Sequence, residues 1–73
     1  QDEVKRMFYK RIGFLREESN LTQQQVAQLL NCSQQAYSNY ELGRRDVPTD
    51  ILIALAKIYE TSVDYILGVS DER

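Results

Sequence analysis

Two amphipathic helices separated by only two residues constrain this chain more than any other feature. The earlier one is opened by Thr22, followed three residues later by Gln25, with Leu21 and Val26 on either side. A Thr at an N-cap binds the backbone amide three residues on while a Gln there reaches back, and the flanking apolar pair clips the entering chain. The spacing therefore predicts a helix that starts at Thr22 and runs through Val26, Ala27 and Leu30. Asn31-Cys32 interrupts it, and Ser33 is the N-cap of another helix reaching about Leu42, which Gly43 ends. Two residues are too few to fold a helix back antiparallel. The pair must cross steeply, the geometry of a helix-turn-helix. Ala27 is small where the two would touch, and Val26, Leu30, Tyr37 and Tyr40 are expected to form their shared core. Cys32 reads as a small buried hydrophobe at the staple position of the later helix.

The same periodicity covers the rest of the chain. Phe8, Ile12 and Leu15 recur at i, i+4 and i+7, which predicts a first helix from about Asp2 to Glu18, ended by Ser19-Asn20. Pro48 suits the first turn of a fourth helix. Its inner face carries Leu52, Leu55, Ala56 and Tyr59, and Ile51, Ile53 and Ile58 occupy the remaining faces, so it is expected to be central and most buried. Ser62 caps a last short helix, Val63 to Leu67, stopped by Gly68. The β-branched residues nowhere alternate with polar ones over a useful length, so no strand is expected. The expected fold is all-α: five short helices in a single domain over residues 1–73, with its core at about 6–68.

Composition removes most chemistry. With 42% apolar and 27% charged residues the chain reads as globular rather than disordered, and 73 residues leave no room for a second domain. No His and one Cys exclude a Cys/His zinc cage and an internal disulfide. Gly13, Gly43 and Gly68 stand thirty and twenty-five residues apart, so no Gly-rich phosphate loop exists. No carboxylate pair has a pocket-forming context. Enzyme activity, a cofactor, a metal and a small-molecule site are therefore not expected. No apolar run approaches the roughly eighteen residues of a membrane span, and no signal peptide is expected at the start, which makes a reducing, cytoplasmic setting the default. The chain opens on Gln1 rather than Met, as a trimmed chain or a domain of something longer would.

A net charge of −2 argues against indiscriminate nucleic-acid binding. The distribution says more. Residues 1–45 hold seven basic side chains against five acidic, a balance of +2; residues 46–73 hold two against six, a balance of −4. Such a split suits a protein that meets a polyanion with its first half only. Within that half, Gln34, Gln35, Ser38 and Asn39 lie at i, i+1, i+4 and i+5, together on the face of the third helix opposite its core. A merely solvated helix is normally dressed in Glu and Lys, which are better helix formers than Ser or Asn. This face carries no charge at all. Gln and Asn amides can donate to and accept from an adenine edge in the major groove. Arg44 and Arg45, just past the helix, suit phosphates, and the free backbone amides beside Gln23 make another phosphate seat.

The segments Thr22-Gln23-Gln24-Gln25-Val26-Ala27, Tyr37-Ser38-Asn39-Tyr40-Glu41-Leu42-Gly43-Arg44-Arg45 and Ser62-Val63-Asp64-Tyr65-Ile66-Leu67-Gly68 carry a resemblance. Together they resemble the Cro and lambda-repressor-like (XRE-type) helix-turn-helix regulators over about residues 6–68. The resemblance implies a five-helix domain that binds operator DNA in transcription regulation, commonly as a repressor and as a dimer on a near-palindromic site. It gives Gln23 a phosphate contact and places Gln34, Gln35, Ser38 and Asn39 at base-facing or groove-facing positions. Ser33 falls where the family touches backbone or base, and Arg44 and Arg45 fall in the loop that grips phosphate. Arg16 and Glu41 match positions where several members pair an arginine with a glutamate. Asn31 replaces the usual turn Gly, which its tolerance of positive φ allows. Tyr37 and Tyr40 replace smaller core residues, and the Tyr40 hydroxyl alternatively stays near the DNA. A homodimer is expected from the apolar excess of helix four together with Ile66 and Val69. The competing reading is a protein-interaction module of the same fold, an antitoxin or antirepressor-type subunit. The acidic total favours it; the polar face of helix three speaks against it.

Overall fold

The structure, a computed structural model, describes residues 8–73, and these form five helices: α1 (Lys10–Glu18), α2 (Gln23–Leu30), α3 (Gln34–Glu41), α4 (Thr49–Ile58) and α5 (Val63–Leu67). Local chemistry accounts for where the helices start. The Thr22 hydroxyl accepts from the Gln25 amide at 3.1 Å while Gln25 Oε1 accepts from the Thr22 amide at 2.8 Å, a complete capping box. Ser33 and Ser62 cap α3 and α5 by accepting from the amides of Ala36 and Tyr65, each at 3.0 Å. Pro48 stands one residue earlier than expected, as the N-cap of α4, where its fixed φ of −61° suits the extended cap backbone.

Where they stop is equally regular. One residue of positive φ follows each helix: Asn20, Asn31, Gly43, Glu60 and Gly68. Behind α2, Cys32 and Asn31 donate their amides to the carbonyls of Ala27 and Gln28 at 3.0 and 3.1 Å, the paired bonds of a Schellman motif. At Asn31 (φ 61°, ψ 41°) the chain turns sharply into α3.

The core joins Ile12 and Leu15 of α1, Val26, Ala27 and Leu30 of α2, Tyr37 of α3, Leu52, Leu55 and Ala56 of α4, Tyr59, and Tyr65 and Ile66 of α5. Four sequence expectations need correction. The first helix begins at Lys10, not Asp2, so Phe8 precedes its Tyr9 cap and loses the helical relation to Ile12. Phe8 is 61% exposed and lies against Gly43, where any Cβ would stand 3.1 Å from the Phe8 Cβ. The part of that expected helix over residues 1–7 lies outside the described residues. Tyr40 is only half-buried and outside the core, because Tyr37 and Glu41, four residues apart, already define the inner face of α3. Ile66 is buried, not an outward apolar patch. On α4, Ile51 and Ile58 pack at the rim of the core, leaving Ile53 as the outward isoleucine.

The C-terminal residues fold back on α1. Arg11 donates from Nη1 to the carbonyls of Tyr65 and Ser70, both at 2.7 Å, and from Nη2 to Asp71 at 2.6 Å. Its guanidinium also stacks 4.1 Å from the Tyr65 ring centroid. Arg73 closes the strap on Glu18 at 2.8 Å. Two of the basic residues in the first half of the chain are thereby turned to internal work, Arg11 here and Arg16 below.

Candidate nucleic-acid interface

The αL turn at Asn31 brings α3 across α2 with its amide face outward. Gln34 and Gln35 are exposed, and Ser38 and Asn39 are half-exposed beside them. The basic pair is anchored to the same helix, since the backbone amides of Arg44 and Arg45 both bond the Asn39 carbonyl, at 2.9 and 3.3 Å. Both arginine side chains are exposed. At the other edge, Ser33 uses its oxygen as the α3 cap and keeps its hydroxyl proton free to donate. The Thr22 cap satisfies the Gln25 amide, which leaves the first helical amides of α2, at Gln23 and Gln24, without an intrahelical partner. All eight positions singled out in the sequence for DNA thus fall on α3, its cap and exit, and the start of α2.

Beneath this surface lies a polar cluster joining three helices. Arg16 of α1 grips Glu41, the last residue of α3, with Nε to Oε1 at 2.8 Å and Nη2 to Oε2 at 3.0 Å. The side chains are 15% and 10% exposed, so the pair is largely removed from water. Nη1 of Arg16 also donates to the Leu21 carbonyl at 2.8 Å, tying in the chain just before α2. Gln23 Nε2 donates to Glu41 Oε2 at 3.4 Å. Burial alone would push the Glu41 carboxyl up, but the Arg16 hydrogen bonds hold it below its usual 4.5. Glu41 in turn raises the Arg16 guanidinium still further above its normal range. Burial, with the carboxylate beside it, pushes the Tyr37 phenol far up, and burial raises Tyr59 to about 12. The Tyr37 and Tyr59 hydroxyls find no hydrogen-bond partner among the described residues. Cys32 is half-buried against the core, and burial pushes its thiol up, away from reactivity.

Sequence alone assigns Gln23 a surface role and carries no sign of its bond to Glu41. Nor does it show why α1 carries Gly13 in its middle. A Cβ at Gly13 would stand 3.3 Å from Glu41 Oε2, so the glycine admits the carboxylate against the helix backbone. An isolated glycine inside a helical pattern is the available signal of such an approach.

Comparison with known proteins bears on this arrangement. The helix-turn-helix family pattern matches residues 12–66. The chain is 38% identical over 66 residues to the uncharacterized HTH-type transcriptional regulator YobD of Bacillus subtilis, covering 90% of this chain and 59% of that protein. It is 41% identical over 59 residues to the HTH-type transcriptional regulator ImmR of the same organism, covering 81% of this chain and 46% of ImmR. The chain therefore spans about half the length of the curated relatives it matches. Among solved structures, a transcriptional regulator from Listeria innocua superposes with a TM-score of 0.79 at 27% identity, over 96% of this chain and 65% of that one. The P22 c2 repressor, solved in complex with a synthetic operator, superposes with a TM-score of 0.77 at 25% identity, over 88% of this chain and 98% of that one. With the match running from the core of α1 through α5, the chain belongs to the helix-turn-helix family.

Proposed function

We propose that the chain is the sequence-specific DNA-binding domain of a transcriptional regulator, a repressor in its simplest form, that lays α3 in the major groove of duplex operator DNA. The observation that carries the reading is the uncharged amide face of an outward helix bordered on both sides by phosphate donors. Gln34, Gln35, Ser38 and Asn39 read base edges, and Gln23, Ser33, Arg44 and Arg45 hold the backbone. A similar fold in the P22 c2 repressor was solved on its operator, which supports the same use here. Two copies would set two such helices about 34 Å apart on a near-palindromic site. With Ile66 buried, Ile53 and Val69, 45% and 74% exposed, remain as apolar support for that homodimer. A cytoplasmic setting suits a regulator with one unpaired thiol. The protein-interaction alternative needs apolar anchors on α3, and its outward face offers amides and a hydroxyl, with Leu42 at its far end.

The test is a titration against random-sequence duplex at two salt concentrations. Binding that weakens steeply as salt rises, by counterion release, supports the reading. Absence of binding at low salt contradicts it and favours a protein partner.

A further inference from the structure

The proposed phosphate contact of Gln23 needs an N–H of its side-chain amide directed at the phosphate. The nitrogen carries two N–H donors, while the carbonyl oxygen can only accept and would repel a phosphate. On α2 the Gln23 nitrogen lies 3.4 Å from Glu41 Oε2, the same oxygen that takes Nη2 of Arg16 at 3.0 Å. We infer that Glu41 is a positioning residue for DNA: by taking one N–H of the Gln23 amide it fixes the flip of that amide and leaves the second N–H of the same nitrogen to donate to a phosphate. This inference rests on the DNA-binding reading above.

The bond is long, yet it decides between two flips, because the alternative sets a carbonyl oxygen against a carboxylate. Arg16 makes the arrangement compatible with a polyanion. A carboxylate beneath a phosphate seat would be repulsive by itself, and the bidentate guanidinium cancels its charge while fixing where its oxygens point. Gly13 leaves room for Oε2, since a Cβ there would come within 3.3 Å of it. The Leu21 carbonyl bond from the same arginine fixes the backbone one residue before the Thr22 cap. One cluster therefore sets both the backbone and the side chain of the α2 start relative to α3.

The test is a double-mutant cycle in operator affinity, on duplex obtained by selection from a random pool, with Gln23→Ala, Glu41→Gln and the double variant. Losing one oriented hydrogen bond is expected to weaken binding by about threefold to tenfold in either single variant. The double variant should lose clearly less than the product of the two single losses. Losses that multiply would mean that Glu41 acts on the fold alone and overturn the inference. A second measurement needs no change at Glu41. In the NMR spectrum of the DNA-free parent, one of the two Gln23 side-chain amide protons should be shifted downfield and protected from exchange relative to the other. Two side-chain amide protons that are both unshifted and unprotected overturn the inference even if Glu41→Gln does not fold. Failure of the parent to bind any duplex strikes the DNA reading instead and leaves the amide spectrum to decide the Gln23–Glu41 bond.

Discussion

Replacing Arg16 with Ala tests the buried pair through a change of sign, not only of size. In the parent, Glu41 is held below 4.5 because the Arg16 hydrogen bonds outweigh burial. A carboxyl lowered in the folded state contributes stability that is present above 4.5 and lost as the pH falls through its folded value. Without Arg16, burial prevails and the Glu41 carboxyl is expected to rise above its unfolded value. Its contribution then runs the other way: present below that value and lost as the pH rises. Breaking a fully buried pair costs about 3–5 kcal/mol. The 15% and 10% exposure of the two side chains, and the Gln23 contact that remains, place the cost near pH 7 at about 3 kcal/mol. For a domain of this size that lowers Tm by roughly 12–24 °C. Urea unfolding of parent and variant between about pH 7 and pH 5 is the assay. The deficit should be largest at pH 7 and narrow on acidification. A deficit independent of pH, or a variant as stable as the parent, refutes the reasoning.

Two further outcomes follow from the structure. Glu60 occupies the positive-φ position of a Schellman motif (φ 54°), with Thr61 donating to Ala56 at 2.9 Å, and no local bond of its exposed side chain compensates. Glu60→Gly should stabilise by about 1 kcal/mol, seen as a higher urea midpoint; a lower midpoint would mean that the strain was absent. Burial raises Tyr59 from 10 to about 12, so its contribution is complete below pH 10 and lost between pH 10 and 12. The parent should therefore lose stability over that window more steeply than Tyr59→Phe, and equal slopes would place the loss elsewhere.

The helix boundaries legible in the sequence were those written in local chemistry. Thr22 and Gln25 form a capping box whatever surrounds them, and Asn20, Asn31, Gly43 and Gly68 are residues that favour positive φ. Glu60 ends α4 in the same conformation and gave no warning, because its side chain has no preference for it. Choices that depend on neighbours are less legible. Tyr37 and Tyr40 are both aromatic on one helix, and only the packing of α2 and α1 against α3 decides that the former is buried. Phe8 matched a helical period but precedes the helix, since the Tyr9 cap lies between it and Ile12. The amide face and the basic pair were visible because they are surface properties of one helix and its exit. The Gln23–Glu41 bond was not, because it joins residues eighteen apart in sequence through a carboxylate whose position is set by a third helix. The clamp of Arg11 on the C-terminal residues is invisible for the same reason, as two of its three acceptors are backbone carbonyls that carry no sequence signature.

The account rests on a division of labour across one surface: amides on α3 read sequence, and arginines at its exit hold phosphate. Measuring affinity on a selected operator and on its single-base variants, across a salt series, for the parent, Gln35→Ala and Arg45→Ala tests it directly. Gln35→Ala should relax preference at particular positions by about 1–3 kcal/mol and leave the salt dependence nearly unchanged. Arg45→Ala should weaken all sequences alike and lower the salt slope by about one. Uniform loss in Gln35→Ala together with altered base preference in Arg45→Ala would mean that the helix docks differently, and would contradict the account.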